Sequence, residues 1–136
     1  MGKLIGDFNA RTGNLLSNLT SEICGDELIT KHVDQVSDGR GKHLSDFVFA
    51  KQLVSLNGFC YRGKEFMSDF TCVANGGRSV VDYALVSLIY LDCVSNFSLL
   101  TENEISYHKP LVIELNISSS QNREANSTKS SAGSTR

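Results

Sequence analysis

The rhythm of apolar and polar residues changes along the chain. Leu4 and Ile5 run into Gly6-Asp7-Phe8-Asn9, an apolar stretch that closes on polar groups at a loop rich in Gly and Asn. This pattern predicts a buried strand that delivers side chains at its end. Between Ala10 and Gly41 the apolar positions, such as Leu15, Leu16, Leu19, Ile23, Leu28 and Val36, are scattered among Gly, Ser, Asp and Thr. That predicts a long surface excursion with one short helical turn. From Gly41 to Gly58, Leu44, Phe47, Val48, Leu53 and Val54 recur at helical intervals, with Lys42, Ser45, Asp46, Lys51 and Gln52 on the other side. Asn57-Gly58 then offers the left-handed stop that often follows a helix, so a helix is expected over about 42–57.

Short β-like runs follow: Phe59 to Tyr61, Phe70 to Val73, Ser79 to Ser87, Val94 to Leu100 and Leu111 to Ile117. Asn75-Gly76-Gly77 tolerates positive φ and should join the second and third runs as a hairpin. Strand, loop, helix and then strands predict a mixed α/β architecture, mainly antiparallel with at least one helix.

Composition sets the limits of that architecture. The chain has 136 residues and 40% hydrophobic content, enough for one domain over 1–117. Residues 118–136 are mostly Ser, Thr, Asn, Gln, Gly and charge. Such a segment buries too little apolar surface to offset its ordering entropy, and is expected to be a disordered tail. The net charge of -2 gives no electrostatic ground for tight non-specific nucleic-acid binding, and Arg11, Lys42, Arg62, Lys64 and Arg78 read as dispersed, solvated charges. A phosphodiesterase is compatible with that balance, because its site needs carboxylates. Cys24, Cys60, Cys72 and Cys93 lack zinc-ligand spacing and read as reduced, buried thiols. With no signal-like N-terminus and no apolar run near the ~20 residues of a membrane span, the expected setting is intracellular, nuclear or cytoplasmic, with no membrane partner.

Two groups of residues could carry chemistry. Asp7 and Asn9 are two apart on the expected first strand, so their side chains should leave one face. A carboxylate can orient or deprotonate water, and an amide can donate to a phosphate oxygen. On spacing alone, Asp and Asn at a strand end are more often turn formers. Asp82 interrupts the apolar run Ser79 to Val86 and must find a partner there. His108, in Ser106-Tyr107-His108-Lys109-Pro110, is the natural candidate, since a carboxylate behind an imidazole fixes its tautomer and raises its basicity. The plainer alternative is a solvated loop histidine and an edge-strand aspartate.

Four features occur together and in order: Gly6-Asp7-Phe8-Asn9-Ala10-Arg11-Thr12-Gly13; Leu56-Asn57-Gly58; Phe70-Thr71 with Gly77, Ser79 and Val80-Val81-Asp82-Tyr83; and Ser106-Tyr107-His108-Lys109-Pro110. From Lys3 to about Leu115 the chain resembles the C-terminal half of the endonuclease/exonuclease/phosphatase superfamily, in the version found in non-LTR retrotransposon endonuclease domains. The resemblance implies part of a four-layer α/β/β/α sandwich and metal-dependent hydrolysis of DNA. It also implies roles for single residues. Asp7 would activate or orient the attacking water and weakly hold metal, and Asn9 would help hold the scissile phosphate. Asp82 would orient His108, which would contact the phosphate as charge builds. The implied ion is Mg2+, with Mn2+ as a substitute. Thr71 and Ser79 match positions where strand-end hydrogen bonding is expected.

Two departures argue against turnover. Tyr107 stands where the family carries a metal-binding aspartate, and a phenol of unperturbed pKa ~10 is a poor hard ligand. Met1 falls where the middle of such a domain is expected, so the early asparagine and metal-binding glutamate of the family's first half do not occur in this sequence. The alternative expectation is a non-catalytic retrotransposon-derived remnant, or an interaction module that engages a protein partner through exposed strand edges.

Overall fold

The computed structural model describes residues 2–17, 29–61, 63–100 and 106–116, so the tail expected at 118–136 lies outside the described residues, as do Cys24 and Arg62. The fold is mixed α/β, and every described strand pairing is antiparallel.

The strands are β1 (Lys3–Asp7), β2 (Ile29–Thr30), β3 (Leu53–Ser55), β4 (Phe59–Tyr61), β5 (Lys64–Glu65), β6 (Cys72–Ala74), β7 (Gly77–Ser79), β8 (Asp82–Ser87), β9 (Val94–Leu99) and β10 (Leu111–Leu115). A helix, α1, spans Gly39–Ala50, and a 3₁₀ segment covers Leu88–Cys93. The described strands form four small sheets, in the orders β1-β8-β3, β10-β9, β2-β4-β5 and β6-β7.

The β1-β8-β3 sheet separates two apolar clusters. Because strand side chains alternate between faces, Ala84 and Val86 of β8 join Val54, Phe59, Phe66, Val94, Phe97 and Ile113 on one side. Tyr83 and Leu85 join Leu44 and Val48 of α1, Leu53, Ala10 and Leu16 on the other. Strand β8 is therefore apolar on both faces, with Leu85 and Ala84 fully buried. A Leu85→Ala truncation at its centre would cost about 2–5 kcal/mol. Asp82, at the start of β8, shares its parity with Ala84 and Val86 and so belongs to the β9–β10 side of the sheet.

The helix begins and ends earlier than its apolar spacing predicted. Asp38 caps it, its Oδ1 accepting the Gly41 N–H at 2.7 Å, and the chain leaves the helix after Ala50, with Gln52 at φ 54. Leu53 and Val54 then form β3 beside β8. A short strand buried on both faces is a continuous apolar run, which periodicity cannot separate from a helix end. Asn57-Gly58 turns the chain from β3 into β4 instead of ending a helix.

The run from Ala10 to Gly41 is also less peripheral than expected. Ala10, Thr12, Leu16 and Asp34 are buried. Arg11 is not a solvated charge: its Nε and Nη2 donate to the two oxygens of Asp34 at 2.9 and 2.8 Å. Arg78, in turn, lies 4.5 Å over the ring of Phe70. The hairpin expected at 75–77 forms, with Asn75 and Gly76 at φ 54 and 78, but it joins β6 to the short strand β7, while the rest of the Ser79–Ser87 run becomes β8 and pairs with β1 and β3.

Candidate active site

Two backbone pairings bring four chemistry-bearing residues together. Asp7, the last residue of β1, lies opposite Asp82, the first of β8. Cys72, the first of β6, forms an isolated bridge with His108. The Val73 N–H to Tyr107 C=O bond, at 3.0 Å, and the Lys109 N–H to Thr71 C=O bond, at 2.8 Å, flank that bridge. Thr71 links the two pairings. It is wholly buried, and its Oγ1 accepts the N–H groups of Val81 and Asp82 at 3.0 and 3.1 Å.

Asp82 Oδ2 accepts a hydrogen bond from His108 Nδ1 at 2.8 Å. The other ring nitrogen, Nε2, lies 3.8 Å from Asp7 Oδ2 and 3.9 Å from Cys72 Sγ. The side chains run from interior to solvent in a graded way: Asp82 is 8% exposed, His108 38% and Asp7 50%. Asn57 steadies the strand beneath them, with Nδ2 donating to the Asp82 carbonyl at 2.9 Å and Oδ1 accepting the Ala84 N–H at 3.2 Å.

The electrostatics follow from that gradient. Burial pushes the Asp82 carboxyl above its ordinary value, against the hydrogen bonds from His108 and Thr71, and neighbouring Asp7 adds to the rise. The hydrogen bond to Asp82 holds the His108 imidazole above its ordinary value, with partial desolvation opposing. Burial, followed by the charges of Asp82 and Asp7, raises the Cys72 thiol. The pair is therefore arranged to bind and release a proton at the outward nitrogen of an imidazole whose inward nitrogen is tied to a carboxylate.

The structure brings together three of the four residues singled out in the sequence, Asp7, Asp82 and His108. The fourth, Asn9, is their neighbour by a different route from the one expected. Strand β1 stops at Asp7, and Asn9 follows it at φ 51, so strand alternation does not place the two side chains on one face. The Asn9 N–H instead donates to Asp7 Oδ1 at 2.8 Å, which fixes that carboxylate. Tyr107 is 66% exposed. Sequence reasoning missed Cys72, because no spacing rule connects it to a histidine 36 residues downstream. Its position directly after Thr71, at the start of a strand, was the only available signal.

One oxygen or nitrogen each from Asp7, Asp82 and His108 lie within 4.8 Å of one another, close enough to serve as a metal-ligand group. Beside this group an apolar groove of about 750 Å³ runs between β1 and β10, lined by Ile5, Gly6, Asp82, Pro110, Leu111 and Ile113. No described helix is long and apolar enough to cross a membrane. No family model, no curated protein and no solved structure matches this chain.

Proposed function

We propose that the chain is a phosphodiester hydrolase acting on DNA, of the endonuclease/exonuclease/phosphatase kind that its motifs resemble. The observation that carries this reading is the 2.8 Å bond between Asp82 and His108 beside the half-exposed carboxylate of Asp7. Asp7 orients the attacking water. His108, protonated more readily because of Asp82, places a positive N–H against the phosphate where negative charge builds, and Asn9 contributes a second donor. Magnesium, or manganese in its place, would be held by Asp7, with water and phosphate oxygens completing the shell, and would supply charge neutralisation. The fit to such an ion is partial: of the two nearby carboxylates, Asp82 is already engaged by the imidazole. The test is nicking of supercoiled plasmid by the purified chain in magnesium, lost in Asp7→Ala and in His108→Ala. An unsubstituted chain that leaves the plasmid intact overturns the proposal.

A second reading, a non-catalytic interaction module, is favoured by the groove between β1 and β10. There Leu111 and Ile5 line a space beside two strands that have no further pairing partner on that side among the described residues. A second copy of the chain is the simplest cover. Sedimentation equilibrium should then show association that Val112→Lys removes, and a monomer at every concentration would discard this reading.

A further inference from the structure

We propose that Asn57 is a positioning residue for the Asp82–His108 pair, its side-chain amide taking the place of a strand peptide where β3 has left β8. It acts through Asp82 rather than on the reacting atoms.

The first observation is where the backbone pairing ends. Strand β3 pairs with β8 from Leu53 opposite Ser87 to Ser55 opposite Leu85, and the Leu56 N–H still reaches the Ala84 carbonyl at 2.8 Å. Gly58, at φ 73, then turns the chain into β4, so this pairing stops two residues short of Asp82. The turn has no room to drift. The Gly58 N–H donates to the Met67 carbonyl at 2.9 Å, and a Cβ on Gly58 would stand 2.2 Å from the Lys31 carbonyl oxygen.

The second is the chemistry of the side chain that fills the gap. A primary amide carries donor and acceptor together, as a peptide unit does. Asn57 Nδ2 donates to the Asp82 carbonyl at 2.9 Å, and Oδ1 accepts the Ala84 N–H at 3.2 Å, so one side chain spans both residues. Buried Ser55 donates from Oγ to the same Oδ1 at 3.2 Å, which fixes the end of the amide that faces Asp82.

The third is what Asp82 requires. Thr71 Oγ1 accepts its N–H at 3.1 Å and Asn57 meets its C=O, so side chains hold both main-chain groups of the residue. Its carboxylate reaches His108 Nδ1 at 2.8 Å, inside a range whose outer limit is about 3.2 Å. A main-chain shift well under the strand rise of about 3.3 Å per residue would break that bond. Without it the ring is free to carry its proton on Nε2, the nitrogen that faces Asp7.

The inference rests on the hydrolytic reading for its use, but its test reads the imidazole directly. Long-range 1H–15N spectra of the metal-free chain, taken where the imidazole is neutral, show which ring nitrogen of His108 carries the proton. The signals are assigned by their absence in His108→Gln. The unsubstituted chain should hold the Nδ1–H tautomer. Asn57→Asp keeps the size and the acceptor but loses the donor, and should lower the Nδ1–H fraction by roughly half or more. Leu44→Ala, which truncates the cluster on the other face of the sheet, should destabilise the fold and leave the tautomer unchanged. An unsubstituted chain without excess Nδ1–H overturns the proposal, as does Asn57→Asp with an unchanged fraction, or Leu44→Ala with an equal shift. Should Asn57→Asp fail to fold, Asn57→Ala decides by the same criterion, since it removes the amide without adding a charge. In plasmid nicking, Asn57→Asp should lower kcat about tenfold to 100-fold with KM little changed, and a raised KM alone overturns the positioning role. If the unsubstituted chain leaves plasmid intact, the hydrolytic reading falls, while the tautomer shift in Asn57→Asp still sustains this one.

Discussion

Removing a single oxygen from the core should cost this chain a large share of its stability. The Tyr83 hydroxyl is buried, and the residue is 2% exposed. It lies 2.8 Å from the Ala10 carbonyl and 2.9 Å from that of Val80, and it accepts the Thr12 N–H at 3.2 Å. Thr12 Oγ1 stands at the same 3.2 Å. One proton serves one carbonyl at a time, so the hydroxyl offers one donated and one or two accepted bonds to groups that water does not reach. Tyr83→Phe keeps the ring in its cluster beside Phe8, whose centroid is 6.1 Å away, and deletes only the oxygen. The loss comprises a donated bond of about 1 kcal/mol and a buried Thr12 N–H left without an acceptor, at about 1–3 kcal/mol, so about 2–4 kcal/mol in all. With a urea slope of about 1.5 kcal/mol/M, the midpoint should fall by roughly 1.3–2.7 M at unchanged slope. Urea denaturation followed by circular dichroism measures this. A fall under about 0.3 M would refute the reasoning, since surface changes remain within that range. A double-mutant cycle with Thr12→Val should also show coupling between the two side chains, and strict additivity would break the assigned bond.

Three further outcomes follow from other contacts. A Cβ on Gly41 would stand 1.8 Å from the Arg11 carbonyl oxygen, whereas one on Gly39 meets nothing within 4 Å. Gly41→Ala should therefore lower the urea midpoint clearly while Gly39→Ala leaves it unchanged or raises it, and equal effects would contradict the close approach. Arg11→Ala removes the cationic partner of the 5%-exposed carboxylate of Asp34 and leaves it only the Val36 and Val80 N–H donors. Because Arg11 is itself about a third exposed, a loss of about 2–3 kcal/mol is expected, below the figure for a fully buried pair, and thermal unfolding that does not move would argue against it. The pH dependence has a defined sign. His108 and Asp82 both have folded pKa values raised above their unfolded ones, the first by its bond to Asp82 and the second by burial. Each thus favours the folded state at low pH, and this stability is lost as pH rises through its folded pKa. Asp34 and Asp69, lowered by their cationic partners and backbone donors, act oppositely and lose their contribution as pH falls below about 4. In metal-free buffer the urea midpoint should therefore decline on the alkaline side of about pH 6.5, and His108→Ala should flatten that decline; a profile identical to that of the unsubstituted chain would show that His108 does not contribute.

Much of this arrangement could be read before any coordinates. The 75–77 turn, the strands around it and those that begin at Val94 and Leu111 announce themselves through alternation and turn chemistry, which are local. The Asp82–His108 bond was legible for a different reason. A carboxylate inside an apolar run must find a partner, and a histidine entering the last strand was the nearest candidate of the right chemistry. Leu53 and Val54 misled because burial on both faces erases the period that separates strand from helix. Arg11–Asp34 and Cys72–His108 were invisible because each depends on which segments lie side by side, information that no window of neighbouring residues contains. The same holds for Asn9, whose positive φ moved it off the strand pattern that had been used to place it.

The pairing of Asp7 with Asp82 also bears on the order in which the molecule assembles. Two carboxylates directly across a ladder repel each other, so nothing in their own chemistry draws them together. They meet only because β1, near one end of the chain, docks on β8 far along it, a contact that must first meet the entropy of closing a long loop. Cys72 and His108 add a second such closure. Formation of the site should therefore trail collapse of the two apolar clusters during refolding and arrive together with the slowest phase. A probe placed at His108 would then time the completion of folding itself.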